Sequence, residues 1–96
     1  MGARMQVRVV PYPPYRAGLG AEPIDLEVPP RTTLRELLRL LAARSREFGA
    51  FAAARGDEWL WGQLLVHRRG EIVRLDHTLC PGDCLELLPP IAGGAV

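Results

Sequence analysis

The residues best suited to chemistry are two adjacent glycines near the end of the chain, Gly93-Gly94, which follow Pro89-Pro90 and Ile91-Ala92. Prolines fix the direction in which the backbone leaves a domain. Glycines have no Cβ, so they can enter a narrow channel and leave a carbonyl open to attack. The pattern therefore predicts a rigid exit and a pliable end that reaches into the active site of another protein.

A second set of reactive residues surrounds a predicted turn. Cys80 and Cys84, with His77 before them and His67 further back, have the residue types of a zinc site. However, a turn glycine lies between the cysteines, and His77 follows the charged Asp76. We interpret the pair as reduced cysteines around a tight turn, with Cys84 partly buried, and predict no metal site. Three residues separate the cysteines, one more than in a thioredoxin-like redox pair.

Ser45, His67 and Asp76 are the residue types of a hydrolase triad, but the sequence has no nucleophile elbow. A single domain of 96 residues also has little room for a catalytic cleft. We therefore expect no catalysis by this chain alone.

Composition sets further limits on function. Hydrophobic residues make up 48% and charged residues 24% of the chain, which is typical of a folded domain. The net charge is +1, and the arginines are scattered rather than clustered, so nucleic-acid binding is not expected. No apolar run approaches the roughly 20 residues that span a bilayer, and no signal peptide is recognised. We expect a protein of the cytoplasm that binds no membrane.

All twelve basic side chains are arginine. The chain thus has no lysine amine for Schiff-base chemistry or for accepting an isopeptide bond. It could donate its tail to another protein but could hardly build lysine-linked chains.

The first elements are predicted from period-two and helical patterns. Residues 5–10 and 24–28 alternate apolar and polar side chains, as half-buried strands do. Residues 11–23, rich in proline and glycine, are predicted to be a loop that cannot lie inside a sheet. Thr33 and Glu36 form a capping box for a helix whose apolar face is Leu34, Leu37, Leu38 and Leu41.

The second half is predicted to hold a short helix and three strands. Residues 45–55 have Phe48, Phe51 and Ala52 at helical spacing, although Gly49 lowers helix propensity. Trp59 and Trp61, interpreted as a core edge, precede a strand at 64–66, and Arg68-Arg69 are interpreted as a solvated turn before 71–73. After the turn Pro81-Gly82-Asp83, residues 85–88 form the last strand. We expect a mixed sheet over one amphipathic helix, with the last strand parallel to the first.

Residues 79–94, Leu-Cys-Pro-Gly-Asp-Cys-Leu-Glu-Leu-Leu-Pro-Pro-Ile-Ala-Gly-Gly, resemble the end of MoaD, the small subunit of molybdopterin synthase. The Gly-Asp turn, the hydrophobic strand, the double proline and the double glycine stand in that family's order. Residues 5–73 agree in element order alone. The resemblance implies a MoaD/ThiS-type ubiquitin-like sulfur carrier of α+β class. Its β-grasp fold is a mixed sheet packed on one main helix, with a domain over 1–90 and a flexible tail over 91–96.

The resemblance also implies the chemistry of the tail. In that family an E1-like adenylating enzyme uses ATP and Mg²⁺ to adenylate the terminal glycine, which is then converted to a thiocarboxylate. Gly94 would be the reacting residue and Gly93 would give access to it. The residues that direct the tail and bind the partner would be Pro89, Pro90, Ile91 and Ala92. The chain would hold no cofactor permanently and would donate sulfur to a larger synthase subunit as its non-catalytic carrier.

This sequence departs from the family pattern because Ala95-Val96 follow the double glycine. We expect a trimming peptidase to cut after Gly94. Three alternatives stay open: a ubiquitin-like modifier of target lysines, a sulfur carrier for thiamin, tungsten-cofactor or another pathway, and an interaction module that keeps Ala95-Val96 and has lost carrier chemistry.

Overall fold

The computed structural model describes residues 4–13, 15–50 and 64–89. In chain order its elements are β1 (Met5–Pro11), α1 (Arg16–Leu19), β2 (Ile24–Val28), α2 (Leu34–Arg44), β3 (Leu65–Arg68), β4 (Glu71–Ile72) and β5 (Cys84–Leu88). Residues 46–50 are also helical. The predicted helical positions Phe51 and Ala52, together with Trp59 and Trp61, lie outside the described residues, as does the predicted boundary between domain and tail.

The strands form one five-stranded sheet in the order β2-β1-β5-β3-β4. β1 is antiparallel to β2, and β3 is antiparallel to both β4 and β5. β5 lies parallel to β1, with Val9 opposite Leu85, so the predicted parallel insertion of the last strand is confirmed. The α+β class and the mixed sheet over a main helix are confirmed as well.

The inner face of the sheet packs against α2. The inward residues of β1 alternate with exposed ones, as the period-two pattern predicted. Leu85 and Leu87 of the central strand have no solvent exposure. All four predicted apolar residues of α2 are buried: Leu34, Leu37, Leu38 and Leu41. Burial of such side chains stabilises a domain by about 1.5–3 kcal/mol each, so this layer holds the fold together.

The start of α2 is capped in the predicted way. The Thr33 hydroxyl accepts from the Glu36 backbone N–H, and the Glu36 carboxylate accepts from the Thr33 N–H. The next two backbone donors, of Leu34 and Arg35, reach the carbonyls of His77 and Leu75. These bonds fasten the 75–77 loop to the helix, because the first N–H groups of a helix have no partner within it.

A second helical segment, 46–50, packs closely on α2. A Cβ added at Gly49 would lie 2.6 Å from the Ala42 carbonyl oxygen, so this glycine allows the close approach. The Ser45 hydroxyl accepts from the Phe48 N–H at 3.1 Å and donates to the Gly18 carbonyl at 2.9 Å. Ser45 is therefore a structural cap, in agreement with the rejection of a catalytic triad.

The prediction that 11–23 is a loop outside the sheet is wrong at two points. Pro11 is the buried last residue of β1 and pairs with Leu87. Its missing N–H costs no sheet bond, because the donor to the Leu87 carbonyl is Tyr12. The segment Arg16–Leu19 then forms the one-turn helix α1.

β3 and β4 form a hairpin whose two turn residues both have positive φ, 56° at Arg69 and 82° at Gly70. Such a two-residue turn matches the twist of the flanking strands. No helix among the described residues is long and apolar enough to cross a membrane.

Candidate functional site

The candidate site begins where β5 leaves the sheet. β5 is held on both sides, by β1 and by β3, and its last residue Leu88 pairs with Leu65. Pro89 follows and is partly buried. The other predicted site residues lie outside the described residues, and their roles stay predictions: Pro90, Ile91, Ala92, Gly93 and Gly94. The described part thus fixes the point from which the tail departs.

At its other end β5 is anchored by a doubly closed turn. The Asp83 N–H donates to the Cys80 carbonyl at 3.0 Å, and the Asp83 carboxylate accepts from the Cys80 N–H at 2.8 Å. Gly82 has a φ of 84°, which suits glycine. Two further bonds join this turn to β1, from Gly82 N–H to the Gln6 carbonyl and from Arg8 N–H to the Asp83 carbonyl. Strand β5 therefore starts from a rigid base.

Behind this turn lies a cluster that the sequence did not reveal. Arg68 Nη1 lies 2.8 Å from His77 Nε2 and 3.4 Å from the carboxylate of Asp83. The side chains of Arg68 and Asp83 are only 30% and 11% exposed. The interpretation of Arg68 as part of a solvated turn is therefore wrong: this residue ties β3 to the base of β5. Arg69, by contrast, is exposed in its turn.

Cys80 and Cys84 are both free and exposed. The expectation that Cys84 is partly buried is wrong, because it is the first residue of β5 and alternation turns its side chain to the open face of the sheet. Nε2 of His77 already contacts the guanidinium of Arg68. Within the described residues, no group of three or more histidine, cysteine or acidic side chains could hold a metal ion.

Next to the tail exit, the end of β1 contacts both β5 and α1. Glu86 of β5 lies on the outer face of the sheet, which is the face away from α2, whereas α1 contacts Ser45 at the end of α2. The Tyr12 hydroxyl donates to Glu86 Oε2 at 3.1 Å, and Arg16 stacks over the Tyr12 ring with 5.7 Å to its centroid. Arg16 Nε also donates to the Pro11 carbonyl at 3.2 Å. The hydrogen bond to Glu86 raises the pKa of Tyr12 above its ordinary value. These contacts hold the end of β1 against the strand that leads to the tail.

At the opposite end of the outer face, Arg8 forms a two-pronged ion pair with Asp25, with Nε at 2.7 Å and Nη2 at 3.2 Å. The hydrogen bond lowers the pKa of Asp25 and raises that of Arg8. Both side chains are more than half exposed, so the pair contributes little to stability.

The outer face also has apolar side chains among its polar ones. Val10, Leu65 and Leu88 are partly exposed. Ile72, opposite His67 on β4, is 56% exposed. An exposed apolar group beside polar residues is typical of a protein-binding surface. In the part of the chain that the structure describes, these residues form a candidate docking face beside the end of β5.

A parallel strand inserted between two hairpins and wrapped on one main helix defines the β-grasp, ubiquitin-like class of small proteins. The sequence model of the ThiS family matches residues 16–94, which is most of the chain. The protein therefore belongs to the ThiS family of ubiquitin-like sulfur carriers and modifiers. Members of the MoaD/ThiS family generally work with E1-like enzymes and synthase subunits.

Solved structures share this fold. A putative molybdopterin converting factor subunit 1 from Pyrococcus furiosus is 22% identical, with a TM-score of 0.73 over 90% of this chain and 98% of that one. Small archaeal modifier protein 1 from Haloferax volcanii is 22% identical, with a TM-score of 0.72 over 90% and 98%. The Methanosarcina acetivorans modifier protein 1 is also 22% identical, with a TM-score of 0.72 over 97% and 100%. A search of curated proteins gives no match.

Proposed function

We propose that this protein is the sulfur carrier of molybdopterin biosynthesis, with Gly94 as the residue that carries sulfur after cleavage of the Gly94–Ala95 bond. An E1-like enzyme activates Gly94, and a larger synthase subunit receives the sulfur. ATP and Mg²⁺ belong to the activating enzyme, and this chain supplies the carboxylate.

The reaction proceeds in two transfers. The Gly94 carboxylate attacks the α-phosphorus of ATP and releases pyrophosphate, which gives an acyl adenylate. A hydrosulfide ion then attacks the glycyl carbonyl carbon and AMP leaves, and loss of the sulfur-bound proton gives a thiocarboxylate. Adenylation replaces a poor leaving oxygen with a good one, and covalent activation of this kind divides one difficult step into two easier ones.

The observation that carries the proposal is the end point of the family match. The match stops at Gly94 and leaves Ala95-Val96 outside it. In the sequence, Gly94 lies six positions after Leu88, the last residue of the central strand β5. Cleavage after Gly94 would give a carboxylate at the position where the likeness to the family stops.

Docking would use the outer face of the sheet as well as the tail. A four-residue tail alone gives an interface far below the roughly 1,200 Å² of a stable complex. The apolar side chains Val10, Leu65 and Leu88 lie beside the exit, so a partner that covers them also receives the tail.

The test is intact-mass analysis of the protein from its native cell. We expect loss of Ala95-Val96 and, in part of the population, replacement of one terminal oxygen by sulfur. Recombinant 1–94 and 1–96 should then be compared with the activating enzyme and ATP. The shorter chain should form the adenylate, and the longer one should not.

The matched control is a chain that ends at Gly93, which retains every described element but lacks the reacting residue. It should release little pyrophosphate. If 1–94 forms no adenylate or thiocarboxylate with the activating enzyme, the carrier proposal is refuted. The pathway is tested by adding thiocarboxylated 1–94 to an extract that lacks its small synthase subunit: restored molybdopterin supports this assignment, and restored thiamin synthesis instead refutes it.

A second candidate function is modification of other proteins, favoured by the likeness to two archaeal modifier proteins. In that case Gly94 would form an isopeptide bond with a lysine of a target. Denaturing gels of cell extract distinguish the two: covalent conjugates support modification, and their absence favours sulfur transfer. An interaction module, the third candidate, predicts that native protein keeps Ala95-Val96.

A further inference from the structure

The surface of this protein lacks the side-chain amine that an activated acyl group attacks most readily. All twelve basic side chains are arginine, so the sequence holds no lysine. The significance of this absence rests on the proposed carrier function. An activated Gly94 terminus would be an electrophile covalently attached to its own domain, and every side chain that it meets on this copy or on another would be exposed to it.

Lysine and arginine differ sharply toward such an electrophile. A lysine amine has a pKa of about 10.4, so a small unprotonated fraction is always present near neutral pH. The guanidinium of arginine stays protonated throughout the pH range in which proteins are folded, so it is not nucleophilic. Arginine thus provides the same charge without an attacking lone pair.

Only some of the arginines are explained by the fold. Arg8 uses two guanidinium nitrogens on Asp25, and Arg16 combines stacking on Tyr12 with a bond to a carbonyl. Arg68 bridges His77 and Asp83. A lysine could not reproduce these planar contacts.

Exposed positions such as Arg39, Arg46 and Arg69 are different. Each is exposed, and the structure gives none of them a contact that depends on the shape of the guanidinium. A lysine at these positions would be equally well solvated. Among the described residues, contacts that need a guanidinium account for Arg8, Arg16 and Arg68, and no such contact explains Arg39, Arg46 or Arg69.

We propose that the lysine-free surface prevents the activated tail from acylating its own carrier, either within one molecule or between two copies. In the reaction that is avoided, an unprotonated lysine Nζ attacks the Gly94 carbonyl carbon. A C–N bond forms, the bond to AMP or to a thiol breaks, and the amine proton passes to solvent. The resulting amide is permanent, so each such event would remove one carrier.

Several other side-chain nucleophiles of the described residues are compatible with this proposal, while the α-amine is a separate nucleophile that is blocked in the test below. The exposed thiols of Cys80 and Cys84 would give thioesters, which other thiols reverse. The hydroxyl of Ser45 is buried and already bonded on both sides. The Tyr12 hydroxyl donates to Glu86.

The test activates the tail without any enzyme. Residues 1–94, which contain every described element, are made as a C-terminal thioester of a small alkanethiol by intein cleavage. The native sequence is compared with the triple variant Arg39→Lys, Arg46→Lys, Arg69→Lys at mildly alkaline pH. The α-amino group, whose pKa is about 7.7–8.0, is acetylated in every chain so that lysine is the only amine compared. After treatment with excess dithiothreitol, intact mass and denaturing gels quantify the amide products that persist.

We expect about tenfold or more amide product from the lysine variant, increasing with pH as the amines lose protons. The control carries glutamine at the same three positions and should behave as the native chain does. Equal amide formation by the native and lysine chains, whether high or low, would overturn the inference, as would equal products from the glutamine and lysine variants. This assay omits the activating enzyme, so its failure is separate from failure of Gly94 adenylation, which tests the proposed function.

Discussion

The anchoring of β5 predicts a specific cost for losing the carboxylate of Asp83. Asp83→Ala removes the acceptor for the Cys80 N–H and the anion beside Arg68. An orphaned donor costs about 1–3 kcal/mol when fully buried. Because Cys80 is exposed and water can replace part of the bond, we expect a loss of about 1–2 kcal/mol in unfolding free energy.

Asp83→Asn separates the two contributions. The amide oxygen can still accept from the Cys80 N–H, but the charge next to Arg68 is lost. The ion pair spans 3.4 Å with the Asp83 side chain 11% exposed, so this variant should lose about 0.5–1 kcal/mol. A double-mutant cycle combines Asp83→Asn with Arg68→Met. Because each single variant already lacks the ion pair, the coupling energy between the two substitutions should be of the same size.

The assay is equilibrium urea unfolding, supported by thermal melting, in which each kcal/mol shifts the midpoint by about 4–8 °C for a domain of this size. Asp76→Ala is the control, because Asp76 lies on the same loop but is 75% exposed and pairs with Arg74 only at 3.9 Å. Its effect should stay within about 0.5 kcal/mol. If Asp83→Ala costs no more than Asp76→Ala, the anchoring argument is wrong.

Four further predictions each concern a substitution of one residue. Gly49→Ala should destabilise the domain by about 1–3 kcal/mol in urea unfolding, despite alanine's higher helix propensity, because its Cβ would meet a backbone carbonyl at 2.6 Å; no loss of stability would contradict the close approach of the two helices. Arg69→Asn should increase the unfolding free energy by about 0.5 kcal/mol and so raise the melting temperature slightly, because asparagine tolerates the positive φ better. A lower melting temperature would argue against the turn geometry. Thr33→Ala should cost about 1 kcal/mol through loss of the capping box, and Thr33→Ser should restore it. Finally, Arg8 lowers the folded-state pKa of Asp25, so the stabilisation from this pair is present above the unfolded pKa of about 3.9 and is lost as pH falls through the folded pKa. The difference in unfolding free energy between native protein and Asp25→Asn should therefore vanish in acid. A difference that persists there would contradict the pairing.

The sequence was sufficient where local rules decide the structure. β1 and β2 each bury one face, so alternation alone located them. The helix α2 was located by its leucine spacing and by a capping box that needs only Thr33 and Glu36, three residues apart. The parallel position of β5 followed from the leucines of that strand, because a central strand must be apolar on its helix side.

The sequence was insufficient where a residue's role depends on distant partners. Tyr12 and Glu86 are 74 positions apart, so the contact beside the tail exit has no local signature. The glycine at position 49 was interpreted as a propensity penalty, whereas the facing carbonyl of Ala42 requires it. Arg68 next to an exposed Arg69 resembled a turn residue, and only the fold brings it to Asp83.

In the candidate site, the role of the tail stays a prediction from residue types and family resemblance, and the surface around its base was not predicted. Partial exposure of Val10, Leu65 and Leu88 on one face depends on the register between three strands. One local signal was available for the base of β5, because an aspartate that closes a Pro-Gly turn often accepts a backbone hydrogen bond.

The position of β5 has a consequence for synthesis of the protein. The strand in the middle of the sheet comes after all of its neighbours in the chain, so β1 and β3 have no shared partner until the ribosome has completed residue 88. A nascent or truncated chain that lacks β5 also lacks the glycines beyond it. Synthesis that stops before β5 therefore removes the central strand of the sheet and the double glycine together.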